Sequence, residues 1–507
     1  LKKPNVILIL ADDMGIGDLS CYNPDSKLKT ENIDRLAESG LICTDAHASS
    51  ALCTPSRYGL MTGRYNWRSR LKARVLGGHS SHLIENGRLT LGSFFKREGY
   101  STACVGKWHL GLDWETKDRC DTFGLSEELL EELKVYPEPL YLDFGKPVKN
   151  GPNQFGFDYY YVTPGSLDIA PYIYVENDYI TQRPTEITGT TEFWPSKNTG
   201  TGKDIPYMSH WPNGPIAPDF DHRTVVPESA EKVLGLIDEY SEKDNPFFIY
   251  YPLHAPHVPC LPTPEFEGKS SLGPYGDMVL MIDHIVGQIV GKLGEKGSLD
   301  DTMIIFASDN GSEHEFPEEG HMSNYIYRGF KSDIWDGGHR IPYIIRYPAV
   351  ISGGSVCKQV VCLTDILATF SDLFEHPLTD GEGEDSISNL SLWKGDDAPV
   401  RTATVHHSGG GMFAIRTGKW KLEFCSDGGG FPRPGVVRDE SLPQIQLYNM
   451  ENDVRETKNL FNEYPQVVSE LTKQLTDYVL NGRSTPGKPQ KNTGPEWWPE
   501  LNWLPGP

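Results

Sequence analysis

The sequence predicts an α/β protein built on a mostly parallel sheet with helices on its faces. Three observations carry that prediction. Continuous apolar runs at 6–10, 247–251 and 303–307 have the length of strands buried on both faces. Segments of helical period lie between them, at 30–40, 91–98, 227–242 and 277–293. Each run then gives way to polar side chains: Asp12 and Asp13, His254, and the pair Asp309 and Asn310. Open α/β sheets bind ligands at the carboxyl ends of their strands.

Residues 4–13 read Pro-Asn-Val-Ile-Leu-Ile-Leu-Ala-Asp-Asp, a buried strand ending in two acids. Adjacent carboxylates repel, so a bound cation is one reason to keep both; capping of the next turn is the other. The helix over 30–40 has Ile33, Leu36 and Ala37 on one face and stops at Gly40. Next comes a stretch centred on Cys53, Pro55 and Arg57, spaced Cys-x-Pro-x-Arg. Pro55 is poorly tolerated inside an element, which places Cys53 at a turn opening a helix, with Leu60 and Met61 on its buried side. A side chain there faces unpaired N–H groups that favour an anion, and Arg57 adds positive charge one turn on. Taken alone, Cys53 also reads as a small core residue.

A helix at 91–98 and a strand at 100–105 lead into Gly106-Lys107-Trp108-His109. In extended chain Lys107 and His109 point the same way, a pairing that suits an anion and a proton transfer. Residues 112–225 are rich in Pro, Gly, Tyr and Asp with weak periodicity, and read as long loops that shape a pocket. The helix at 227–242 carries Val233, Leu234 and Ile237 on its apolar side. After the strand at 247–251, His254 and His257 follow as site candidates or satisfied loop histidines. Met278, Met281, Ile282, Ile285, Ile289 and Val290 form a core stripe on the helix at 277–293. Another helix spans 364–374, and 380–397 is rich in Gly, Ser and Asp. That composition sets a domain boundary, giving domains 1–378 and 379–507. The second holds β-like pieces at 402–406, 412–416 and 420–424 and a helix at 465–480.

The chain has 507 residues and a net charge of −23, which argues against a nucleic-acid partner. No run of eighteen apolar residues supplies a membrane span. The chain begins abruptly before its first strand, so a secretion signal is expected to have been removed, and the location to be secreted or periplasmic. The nine cysteines include no Cys-x-x-Cys pair. Their even remainder after Cys53 permits disulfides without fixing any. Asp12, Asp13, Asp309 and Asn310 together offer carboxylate and amide oxygens, a donor set for calcium or magnesium rather than zinc.

Four segments resemble the type I, formylglycine-dependent sulfatases of the alkaline phosphatase superfamily, with the look of bacterial polysaccharide sulfatases. They are Cys53-x-Pro55-Ser56-Arg57-x-x-Leu60-x-Thr62-Gly63, Gly106-Lys107-Trp108-His109-Leu110-Gly111, His254-x-Pro256, and Arg328-Gly329-x-Lys331 running on to Asp336-Gly337-Gly338-x-Arg340-x-Pro342. Asp336 stands where the family has glutamate. The resemblance implies a large mixed, mostly parallel, alkaline-phosphatase-like sheet and a small C-terminal α+β domain with an antiparallel sheet and one helix. It implies that a maturation enzyme oxidises Cys53 to formylglycine (3-oxoalanine), whose hydrate is the nucleophile.

It further implies calcium, ahead of magnesium, held by Asp12, Asp13, Asp309, Asn310 and the modified Cys53. Arg57 would hold the hydrate, and Lys107 and Lys331 the sulfate. His254 would protonate the departing sugar oxygen and His109 would release sulfate by taking a proton. Ser166 matches a serine that hydrogen-bonds in the site; Asp168, His314, His321, His406 and His407 are candidates for reading sugar hydroxyls. Aromatic and acidic loops between Tyr141 and His222 suit a sulfated glycan, with a 6-sulfate of galactose or N-acetylgalactosamine as the expected ester. Two rivals stand: a phosphodiesterase or phosphonate hydrolase of the same superfamily, and a carbohydrate-binding pseudoenzyme in which Cys53 stays a thiol.

Overall fold

In a computed structural model that describes residues 2–188, 211–431 and 443–506, the first apolar run is the strand Asn5–Asp12, buried from Val6 onward. Its ladder runs parallel to Phe247–Pro256, whose ten residues are all buried. Full burial on both faces explains why neither strand alternates apolar with polar residues. Phe247–Pro256 pairs in parallel with Ser101–Lys107, and that strand with Tyr159–Thr163. Two short antiparallel strands, Val175–Glu176 and Tyr179–Ile180, follow. All belong to one ten-stranded sheet, mixed and mostly parallel as expected.

The chain forms two compact units. One comprises Leu1–Asp12, Leu76–His82 and Gly92–Ile304; the other comprises Asp13–Val75, Leu83–Leu91 and Ile305–Pro507. Residues 378 and 379 both lie in the second. In the first unit, helices Val225–Tyr240 and Gly273–Glu295 pack on each other and on Phe247–Pro256. Met278, Met281, Ile282, Ile285 and Ile289 supply the buried stripe, while on the other helix Leu236, not Leu234, lies inward beside Val233 and Ile237.

In the second unit the helix Glu31–Glu38 buries Ile33, Leu36 and Ala37. Leu41–Cys43 pairs antiparallel with Tyr343–Arg346 and parallel with Ser355–Cys357. Four antiparallel strands, Thr404–His407, Phe413–Thr417, Trp420–Glu423 and Gln446–Asn449, make the small C-terminal sheet. Helix Pro465–Leu480 packs across its two central strands. Trp67, Phe413, Leu422, Phe424 and Leu475 fill the core between them. The buried Arg68 guanidinium is held by both Asp385 oxygens, at 2.7 and 2.9 Å. No helix among the described residues is long and apolar enough to cross a membrane.

Candidate active site

In the second unit, Cys53 opens the helix Cys53–Thr62, preceded by the extended Leu52 and closed by Gly63 at φ 62°. Pro55 sits in the first turn, where its missing N–H is harmless. All ten residues of the helix are buried, including Arg57. A guanidinium with no access to water needs an anion beside it. Asp309, which follows the strand Thr302–Ser308, supplies one: Arg57 donates to its Oδ2 from Nε at 3.0 Å and from Nη2 at 2.8 Å. The other oxygen of Asp309 accepts from the Asp13 backbone N–H at 3.2 Å. Asn310 donates through Nδ2 to Asp13 Oδ1 at 2.7 Å, and Lys331 Nζ donates to Asp13 Oδ2 at 2.6 Å. Cys53 Sγ lies within 4.8 Å of a carboxylate oxygen of Asp309. One unit thus gathers Asp13, Cys53, Arg57, Asp309, Asn310 and Lys331.

The first segment of the first unit ends at Asp12, and the next peptide bond carries the chain to Asp13 of the second. Lys107, the last residue of Ser101–Lys107, donates from Nζ to Asp12 Oδ2 at 2.6 Å, both side chains fully buried. Gly106 precedes it at φ 123°, and a Cβ there would collide with the Pro252 carbonyl oxygen. His109 corrects an expectation: it does not continue the extended chain. Its φ is 52°, so the alternation that would align it with Lys107 is broken after the strand ends. Its Nε2 donates to the Leu76 carbonyl at 2.8 Å, which leaves Nδ1 as the basic nitrogen of the neutral ring.

His254 lies inside the strand Phe247–Pro256, not past its end, because the strand runs on to Pro256. Its Nε2 is 2.8 Å from Thr163 Oγ1, whose own proton goes to the Gly165 carbonyl at 2.7 Å. Nε2 is therefore the donor, and Nδ1 is again the basic atom. His257 donates from Nδ1 to the Val258 carbonyl at 2.6 Å and comes within 4.8 Å of an Asp12 carboxylate oxygen. Asp168 Oδ1 is 4.0 Å from His257 Nδ1. Ser166 is buried, and its hydroxyl has no hydrogen-bond partner among the described residues. In the 141–222 loops, residues 189–210 lie outside the described residues.

The remaining sugar-reading candidates are placed differently. His314 is half-buried in the loop after Asn310. His321 points inward: Nδ1 accepts from Lys27 N–H at 3.3 Å and Nε2 donates to Asp18 Oδ1 at 2.9 Å. His406 and His407 are buried in the C-terminal sheet. His406 stacks on His339 with ring centres 4.0 Å apart, and His47 Nδ1 meets His339 Nδ1 at 2.9 Å. This buried trio was not legible in the sequence, where His47 stands hundreds of residues before His339 and His406 and no motif spacing links them.

Burial pushes the His407 imidazole down to about 3. An unfolded chain takes up that proton near pH ~6.5. The folded state stays neutral down to about pH 3, so its stability is complete above ~6.5 and falls as pH drops between those values. A His407→Gln variant should flatten the fall in urea midpoint over that window, by up to about 1.4 kcal/mol per pH unit. An unchanged slope would show that His407 does not supply it.

The donor set fits a hard divalent cation. Asp13 and Asp309 supply carboxylates and Asn310 an amide within one unit, and Asp12 is the neighbour of Asp13 in the chain. Asn310 Oδ1 is buried without a hydrogen-bond partner among the described residues, while its Nδ2 is satisfied twice. An orphaned amide oxygen among carboxylates is what a calcium or magnesium ion would relieve.

Comparison with known proteins places this arrangement. The profile of the Sulfatase family matches residues 4–376. The chain is 32% identical over 505 residues to an N-acetylgalactosamine-6-O-sulfatase of Bacteroides thetaiotaomicron, covering 94% of this chain and 93% of that protein. It is 28% identical to human arylsulfatase A, over 94% of this chain and 87% of the relative. A solved structure from work on glycosaminoglycan metabolism by Bacteroides thetaiotaomicron superposes with a TM-score of 0.77 at 30% identity, covering 94% of this chain and 99% of that one.

Proposed function

This chain belongs to the sulfatase family, and from that premise we propose that it hydrolyses the 6-sulfate ester of a galactose or N-acetylgalactosamine unit in a sulfated glycan. The observation that carries the reading is Cys53 at the mouth of a buried helix, in one unit with Asp13, Arg57, Asp309, Asn310 and Lys331. The similarity to an N-acetylgalactosamine-6-O-sulfatase supports the sugar. We place the reaction in the periplasm or outside the cell, where such glycans are met.

Asp12, Asp13, Asp309 and Asn310 would hold calcium, and position 53 would carry formylglycine made from Cys53 by a maturation enzyme. There the ion would supply charge neutralisation of the sulfuryl oxygens, and the hydrated aldehyde would supply the nucleophile. The chain's own residues do the rest. Lys107 and Lys331, now within 2.6 Å of Asp12 and Asp13, bind the oxygens of the arriving sulfate. Arg57 is locked on Asp309 and keeps a fixed charge one turn from position 53. His254 delivers a proton from Nδ1 to the departing sugar oxygen, its Nε2 anchored on Thr163. His109, anchored on Leu76, takes up a proton at Nδ1 as sulfate is released.

Sulfate release from defined mono- and disaccharides tests the reading, with matched phosphate esters alongside. Faster cleavage of the phosphate ester would move the protein to phosphodiester or phosphonate chemistry. His254→Ala should lower turnover of a sugar sulfate by roughly 10²–10⁴. The loss should shrink on an aryl sulfate, whose leaving group needs no proton. Equal losses on both esters would remove His254 from the acid role.

A further inference from the structure

Away from the site, two thiols face one another in the second unit. Cys43 ends the strand Leu41–Cys43, Cys357 ends the strand Ser355–Cys357, and the parallel ladder pairs them directly. Directly paired residues of parallel strands project from the same face of the sheet. Both lie on its buried face, at 1% and 5% exposure, while Val356 between Ser355 and Cys357 turns outward at 50%. Neighbouring strands lie roughly 4.8 Å apart, inside the roughly 4.4–6.8 Å Cα separation that a disulfide spans. The two cysteines are the last paired residues of their strands, and the Thr44 N–H donating to the Cys357 carbonyl at 2.9 Å holds the two chain segments side by side there. Ser355–Cys357 is the edge strand of the sheet and has three residues, paired on one side only.

We propose that Cys43 and Cys357 are a modification site, oxidised to a disulfide that fastens the edge strand to its neighbour. The oxidant is a small disulfide such as glutathione disulfide. When the edge strand opens locally, Cys357 as thiolate attacks one sulfur of that disulfide, expelling one thiolate that takes up a proton and leaving a mixed disulfide. Cys43, as thiolate, then attacks the Cys357 sulfur and expels the second thiol. Two protein thiols and one small disulfide become one protein disulfide and two small thiols. Cys357 acts first because a hydrogen bond from the Cys43 S–H holds its thiol below the usual range, while the same contact and burial raise Cys43. The bridge closes a loop on the order of 300 residues, which restricts the unfolded chain.

The test uses the full chain incubated with glutathione disulfide, then denatured, alkylated with iodoacetamide and digested without reduction. The expected result is a linked pair of peptides carrying Cys43 and Cys357, about 2 Da lighter than their sum, that separates on reduction. Cys357→Ala should abolish that pair and leave Cys43 alkylated, and Cys21→Ala should leave the pair intact. Alkylation of both thiols in the oxidised wild-type protein would overturn the proposal. So would glutathione retained on Cys357, or a bridge from Cys43 to any other cysteine. The bridge requires no sulfatase activity, so its failure and the failure of the sulfatase reading are separate results.

Discussion

Cys53→Ala is expected to leave a folded protein whose sulfate-ester turnover has dropped by roughly 10⁶-fold, to background. The substitution removes one sulfur from a helix that is buried along its length and keeps the Cβ that packs there. Its cost to stability should be about 1 kcal/mol, typical of a small core truncation. Activity, by contrast, has no other group to fall back on. Arg57 is paired with Asp309, and the ammonium groups of Lys107 and Lys331, proposed to hold sulfate, cannot attack sulfur. Thermal unfolding and sulfate release on the same sample separate the two effects. A variant that retained more than about 1% of turnover would dismiss position 53 as the nucleophile.

Asp309→Asn should be the most damaging single change to stability and metal response together. Asp309 is fully buried, takes two hydrogen bonds from Arg57 on one oxygen and the Asp13 backbone N–H on the other. An amide cannot accept on both ends, so one donor is left facing another, and the Arg57 charge loses its counter-ion. Breaking a buried pair by neutralising one member costs about 3–5 kcal/mol. The donor set falls from three carboxylates to two, so calcium affinity should fall at least about tenfold. Urea unfolding with and without calcium reads both: the midpoint should drop, and its rise on adding calcium should shrink. A wild-type midpoint and calcium response would mean that Asp309 neither holds Arg57 nor binds the ion.

Much of this architecture could be read from the chain because burial on both faces leaves an unbroken apolar run. Val6–Leu10 announces the strand and, by stopping, marks Asp12. The helices legible from periodicity kept most of their inward residues even where their ends moved, as with Gly273–Glu295 against the expected 277–293, although Leu234 and Val290 are only half-buried. Short elements gave too little signal. Gln446–Asn449, the fourth strand of the C-terminal sheet, spans four residues and shows no run to recognise. The helix at Cys53 was read with one buried side, yet Thr54, Ser56 and Arg57 are buried too. Pattern assigns polar residues to water; only a partner far along the chain, here Asp309, overrides that. The same limit hid the turn at His109, whose backbone is left-handed and whose ring is held by the Leu76 carbonyl, far off in the sequence.

The burial of the Cys53 helix bears on how this enzyme is manufactured. The conversion of Cys53 proposed above needs an enzyme to reach the thiol, and a thiol 2% exposed within a buried helix gives it no access. On the proposed reading of Cys53, conversion then belongs to the moments between synthesis and collapse, and a chain that collapses first would stay inactive. Specific activity in any preparation then counts the molecules that were reached in time, and faster expression should yield more protein and a smaller competent share.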